Sequence, residues 1–239
     1  MRRVALIFKW ILPIMLLILM LIFTNSRQSV QQVNLHDIVI QASDHKFIDK
    51  QIVLNYLEKN SVFFDSVSVT DFKTEDLETL LESHPVIKEA EIFVNQKGNV
   101  EVSIMQKKAI VRVKSDSGDY YLDEFGKVMN LTDNYTPRLV VATGDISINN
   151  HSEIHKFINE INDSKFWNYQ ITQIHFENNN ILLIPRVGSQ RINIGNFENI
   201  SEKLQNLYQF YKVAMPSKGW QTYSDINLKF DNQIVCVKN

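Results

Sequence analysis

The sequence predicts an α+β protein in three parts: one N-terminal transmembrane helix, a small module ordered strand, helix, helix, strand, strand, and a β-rich domain with a mixed or antiparallel sheet and flanking helices. Two observations lead there. Val4 to Phe23 is apolar apart from Lys9, and about twenty apolar residues at the helical rise cross the hydrocarbon of a bilayer. Beyond it, segments with apolar residues every third or fourth position give way, from Ala109 onward, mainly to short segments that alternate every second position. Those are the periods of helix and strand.

Composition sets the outer bounds. The 239 residues carry 25 Lys plus Arg against 27 Asp plus Glu, with 44% hydrophobic and 22% charged residues, which excludes wholesale disorder and leaves room for one or two domains. A single cysteine, Cys236, excludes an internal disulfide framework and any CxxC site. Four of the 25 basic residues, Arg2, Arg3, Lys9 and Arg27, lie in the first 30 positions with no acid, so the remainder holds 21 basic against 27 acidic residues. A net-acidic exposed part argues against nucleic acid as a partner.

The apolar run reads as an uncleaved signal anchor. Its charges sit on the N-terminal side, which puts Met1 in the cytosol by the positive-inside bias, and Thr24-Asn25-Ser26-Arg27 offers no small-residue cleavage site. The expected division is therefore a cytoplasmic tail at 1–3, an anchor at 4–23, a polar linker at 24–32, the small module at 33–106 and the β-rich domain at 107–239.

Within the module, Val33, Leu35, Ile38 and Ile40 suggest a first strand. Asp49 is a fitting N-cap for a helix burying Ile48, Ile52, Val53, Tyr56 and Leu57, with Ile48 and Val53 as a hydrophobic staple. Val62 to Val69 reads as a short strand or extended connection. A second helix begins near Thr74, whose hydroxyl is the expected cap. Glu75 and Asp76 complement its dipole and Pro85 stops it. Ala90, Ile92 and Val94 alternate into a turn at 95–99, and Val100, Val102 and Ile104 alternate back, a hairpin with one apolar face.

In the β-rich domain the expected strands are Ile110 to Lys114, Asp119 to Leu122, Lys127 to Asn130, Ile171 to Glu177, Ile181 to Arg186, Arg191 to Ile194, Tyr223 to Phe230 and Gln233 to Val237. Gly126 supplies a positive φ in the 123–126 turn. Helices are expected over His151 to Asn162 and Phe197 to Val213, the latter capped by Asn196 and ended by Pro216 and Gly219.

The sequence carries no HExxH, P-loop, GxGxxG or GxSxG motif, and no catalytic, cofactor-binding or metal-binding residue and no small-molecule substrate is assigned. His151 and His155 share a helix face but lack a third ligand. Glu75 with Asp76, Glu89 with Glu91, and Asp123 with Glu124 read as dipole complement, outward strand face and turn. Cys236 reads as a packed hydrophobe, and Tyr208, Phe210 and Tyr211 as the core and rim of a helix. The β-branched end, Ile234-Val235-Cys236-Val237, stands out: a terminal strand at a sheet edge either aggregates, is covered or binds another strand.

Several stretches then point to a family. His84-Pro85-Val86-Ile87-Lys88-Glu89-Ala90, Tyr120-Tyr121-Leu122-Asp123-Glu124-Phe125-Gly126-Lys127-Val128, Pro137-Arg138-Leu139 before Gly144, and Ile226-Asn227-Leu228-Lys229-Phe230-Asp231 occur in an order that resembles the bacterial cell-division protein family FtsQ, called DivIB in Gram-positive organisms. Gln106-Lys107-Lys108-Ala109 replaces the family's usual Glu-Arg-x-Pro-x-Ala joint, and the spelling of the last forty residues is most similar to Bacteroidota members. The resemblance implies a POTRA module followed by the family's β domain, in a single-pass protein of the inner membrane with its bulk in the periplasm at the division septum. It implies a non-enzymatic divisome scaffold that binds the coiled-coil membrane proteins FtsB and FtsL, alongside other divisome components, and helps regulate septal peptidoglycan synthesis.

The same resemblance places the partner site, by addition of an FtsB strand, at Phe230, Asn232, Gln233, Ile234, Val235, Cys236, Val237 and Lys238. Either Ile234 with Cys236 or Val235 with Val237 would set specificity, and proline at Val235 would abolish binding. The rival expectations are a signal-anchored envelope enzyme acting on the cell wall and a POTRA adaptor in outer-membrane assembly or secretion.

Overall fold

The computed structural model describes residues 13–22, 32–64, 67–115, 118–178, 180–230 and 233–239. Residues 13–22 form a helix, α1, with every side chain exposed. Among the described residues no helix is long and apolar enough to cross a membrane. The remainder of the expected anchor, the tail at 1–3 and the linker at 24–31 lie outside the described residues. The chain divides into two compact units, Met1–Gln106 and Lys107–Asn239.

In the first unit, β1 (Asn34–Ile40), α2 (Lys50–Lys59), α3 (Thr74–Glu82), β2 (Ile87–Val94) and β3 (Asn99–Gln106) form a three-stranded sheet of order β1-β3-β2 with two helices. β1 runs parallel to β3, and β2 pairs antiparallel with β3, Ala90 opposite Ile104 and Ile92 opposite Val102. Val53 and Leu57 of α2, Leu77 and Leu81 of α3, and the inward row Val100, Val102 and Ile104 are buried.

Asp49 caps α2 by accepting the Ile52 N–H at 2.9 Å. Thr74 does not cap α3: it occupies the first helical position, and the cap is Lys73, in an extended conformation without a side-chain bond. An N-cap hydroxyl must belong to the non-helical residue to reach the free donors of the first turn. Val62 to Val69 forms no named strand; its described residues contribute a bridge between Gln32 and Ser68 and a bond from the Val33 N–H to the Val67 carbonyl.

The second unit is built on a nine-stranded sheet of order β12-β11-β10-β9-β8-β7-β4-β5-β6. Its strands are β4 (Ala109–Ser115), β5 (Gly118–Asp123), β6 (Val128–Asn130), β7 (Val140–Gly144), β8 (Ile171–Glu177), β9 (Asn180–Pro185), β10 (Arg191–Gly195), β11 (Tyr223–Asn227) and β12 (Val235–Lys238), with helices α4 (His151–Asp163), α5 (Lys165–Gln170) and α6 (Ile200–Lys218). Ile154, Phe157, Ile158 and Ile161 of α4 share one core with Leu204, Leu207 and Tyr211 of α6 and the sheet residues Val111, Val113, Ala142, Ile174, Leu183, Ile192 and Ile226.

At the β5–β6 turn Asp123 is buried, and its carboxylate accepts the N–H groups of Phe125 and Lys127 at 2.9 and 2.8 Å. Gly126 has the positive φ, +74°, that the turn requires.

Helix α6 departs from expectation at both ends. It starts at Ile200 behind Asn199, a left-handed cap with φ 52° and no side-chain bond. Asn196 instead accepts the Glu198 N–H in the preceding turn, and Phe197 stays outside the helix, its ring within 6.2 Å of Phe157 and 5.9 Å of Phe176. At the other end the helix runs through Pro216 to Lys218. Proline forfeits one backbone bond, but buried Met215 ties this turn to the core, and Gly219 closes it by donating its N–H to the Met215 carbonyl. Strand β7, in the interior of the sheet, and the six-residue α5 are elements the sequence pattern did not reveal.

Candidate functional site

β12 lies at the edge of the nine-stranded sheet, paired on one side with β11. The two run antiparallel, with Asp225 opposite Val237, Ile226 opposite Cys236 and Asn227 opposite Val235, and a register shift between Tyr223 and Asp225. Main-chain groups of alternate residues point to opposite sides of an antiparallel strand. The Asn239 N–H reaches the Thr222 carbonyl at 3.1 Å and the Ser224 hydroxyl reaches the Val237 carbonyl at 3.4 Å. Residues 235, 237 and 239 therefore spend their main-chain groups on β11. The N–H and C=O groups of Cys236 and Lys238 point away from the sheet, the arrangement that accepts an added strand.

The side chains divide by the same period. Ile234 and Cys236 pack against the helix-bearing core, whereas Val235 and Val237 are 43% and 56% exposed on the opposite face. There Val237 lies beside Asp225, which pairs with Arg191 at 2.9 Å. An incoming strand would meet Val235 and Val237 on one face and Cys236 on the other. Gln233 and Phe230 are exposed, and with Ile234 and Leu228 they border a hollow against Asn199, Glu202, Lys203 and Asn206 at the start of α6. Asn232, with Asp231, lies outside the described residues. Burial raises the Cys236 thiol above its ordinary range, the direction that suppresses thiolate chemistry.

The register also locates the effect of a proline. At Val235 it removes a donor to β11, not an outward one, so it loosens β12 from its own sheet. Cys236 is the position at which proline removes an outward donor and leaves the β11 pairing in place.

The remaining candidates are occupied structurally. His151 shares a 2.7 Å bond with the Tyr120 hydroxyl, and His155 Nε2 lies 2.9 Å from the Glu124 carbonyl. Among the described residues no three His, Cys, Asp or Glu side chains converge on a metal position. Glu75 and Asp76 lie in the first turn of α3, Glu89 and Glu91 face outward, and Glu124 accepts the Lys108 N–H. A groove of about 920 Å³ runs between α4–α5 and α6 over Phe166, Trp167, Leu204 and Tyr208; its carboxylate Glu160 accepts the Ser201 hydroxyl.

Burial holds the His151 imidazole below its ordinary range. A histidine whose folded-state value is depressed contributes stability that is full above its unfolded value of about 6.5 and is lost as pH falls below it. Lowering the pH from about 7.5 to 5.5 is expected to reduce the urea midpoint of the full chain more than that of His151→Gln, followed by Trp167 fluorescence. Parallel loss in both proteins would remove His151 as the cause.

Comparison with known proteins gives two family matches. Residues 108–237 match the model described as FtsQ/DivIB, C-terminal related, and residues 31–105 match a POTRA-like domain. No curated protein matches the chain. Among solved structures, the major extracytoplasmic domain of the trans isomer of the bacterial cell division protein DivIB from Geobacillus stearothermophilus is similar over 46% of this chain and 96% of its own, at 13% identity and a TM-score of 0.35.

Proposed function

Starting from the chain's membership of the FtsQ/DivIB C-terminal-related family, we propose that it is a non-enzymatic scaffold of bacterial cell division. In this reading it is held in the inner membrane by residues 4–23, with both folded units in the periplasm, and it captures a strand of an FtsB-like coiled-coil protein at β12. FtsL-like proteins and other divisome components join through that partner, and the assembly helps regulate septal peptidoglycan synthesis. The observation that carries the reading is the pair of outward main-chain positions at Cys236 and Lys238, on an edge within the family-matched unit. Main-chain pairing supplies affinity without a cleft, while Val235 and Val237 select the partner's side chains. Nothing in this mechanism needs a coupled acid and base.

The test is affinity purification of the tagged full chain, solubilised in detergent from growing cells, beside its Cys236→Pro variant, with mass spectrometry of what is recovered. Recovery of small single-pass coiled-coil proteins by the wild type alone is expected. Equal recovery by both would move the site away from β12. Outer-membrane assembly proteins in their place, or hydrolysis of peptidoglycan by the purified chain, would replace the scaffold reading with one of its rivals.

A further inference from the structure

The sheet of the first unit has two edges, and side-chain carboxylates hold outward donors on both. On β2, the Ile92 N–H donates to Glu78 at 2.9 Å and the Ala90 N–H to Glu82 at 3.3 Å. Both acids come from α3, which runs antiparallel to β2 and joins it through the turn at 83–86. The spacing makes the match: four residues along a helix rise about 6 Å and two along a strand about 6.7 Å. One helix face thus meets successive outward donors of one strand.

On β1, the Asn34 and Gln41 N–H groups turn toward β3 and the outward Ile38 N–H is taken at 2.8 Å by Asp37. Lys50, followed by that N–H, holds the Asp37 carboxyl below its ordinary range.

For α3 itself these acids are poorly placed. Glu78 and Glu82 are a like-charge pair four residues apart, and Glu82 ends a helix with no base in its last turn, where the dipole disfavours a negative charge. Their compensation lies on β2. A carboxylate accepts but does not donate, so it occupies the N–H groups an incoming strand would use and repels that strand's carbonyls.

We propose that Glu78 and Glu82 close the β2 edge against strand addition, above all by β2 of a second copy of this chain. With Ile92 opposite Ile92 of the second copy, antiparallel pairing sets Glu91 against Phe93 and avoids facing like charges, so the uncovered edge is self-complementary. The inference does not depend on the reading of β12. The β2 and β12 edges differ in the property at issue: among the described residues no side-chain carboxylate takes the outward N–H of Cys236 or Lys238.

The test compares the full chain in detergent with Glu78→Ala/Glu82→Ala and Glu78→Gln/Glu82→Gln, the latter retaining an acceptor oxygen. Amide exchange across 87–94 and sedimentation equilibrium are the readouts. The double alanine variant is expected to exchange Ala90 and Ile92 at least about tenfold faster when monomeric and to form a concentration-dependent dimer where the wild type does not. Adding Ile92→Pro, which removes an outward donor, is expected to dissolve that dimer. The double glutamine variant is expected to keep wild-type exchange. Wild-type mass and exchange in the double alanine variant, or a dimer indifferent to Ile92→Pro, would overturn the proposal. Global unfolding of the first unit, seen as lost protection at Val100 and Val102, would overturn it in favour of plain structural support.

Discussion

Cys236→Pro is expected to weaken binding of an FtsB-like partner by roughly tenfold to a hundredfold while leaving the unfolding midpoint of the second unit close to wild type. The size follows from leaving one partner carbonyl unpaired in a closed interface, about 1 to 3 kcal/mol, with every 1.4 kcal/mol worth a factor of ten. The fold survives because the lost N–H points away from β11, the setting in which an edge strand tolerates proline. Val235→Pro is expected to weaken binding as well, by a different route. Its lost donor belongs to the β11–β12 pair, so amide protection at Asp225 and Asn227 falls with it. Titration of the full chain in detergent with the purified partner, alongside amide exchange of each variant, separates the two. Equal effects on β11 protection would contradict the deduced orientation of β12.

The second large effect concerns Gly144. It ends β7 with φ +92°, and a Cβ at this position would stand 2.0 Å from the Phe176 carbonyl oxygen of β8. The oxygen it would meet is backbone, on a strand paired to β7 with Gly144 opposite Phe176, and the Cβ is fixed to its own backbone, so no flexible side chain can yield. Gly144→Ala is expected to destabilise the second unit by at least about 3 kcal/mol, lowering its thermal midpoint by roughly 10 °C. Gly118→Ala is the control: φ there is +126°, but a Cβ meets nothing within 4 Å, so it carries backbone strain without collision. Thermal unfolding followed by Trp167 and Trp220 fluorescence checks both. A Gly144→Ala midpoint no lower than that of Gly118→Ala would show that β7 and β8 separate at little cost.

Much of this architecture is legible in the sequence where one face of an element is buried and the other wet. The hairpin of β2 and β3 alternates from Glu89 onward, and α4 repeats Ile154, Phe157, Ile158 and Ile161 at helical spacing, so both are plain. β7 was not, because Val140-Val141-Ala142-Thr143 carries small or apolar residues on both faces and its partner β4 is distant in sequence. The start of α6 depends on a left-handed Asn199, a conformation without a strong local signature.

The candidate edge was visible as a terminal β-branched run, but the parity of its main-chain groups was not. That parity depends on the register shift in β11 between Tyr223 and Asp225, which exists only once the strands pair. The covering of β2 was hidden for the same reason. Glu78 and Glu82 look like ordinary surface acids until the turn at 83–86 lays α3 along the strand.

Amide exchange of residues 234–238 in the full chain, free and bound to an FtsB-like partner, decides whether β12 receives a partner strand. The Val235 and Val237 amides are expected to be protected in both states, and those of Cys236 and Lys238 to gain protection only in the complex. A complex that forms while the Cys236 and Lys238 amides exchange as in the free protein would contradict strand addition at β12.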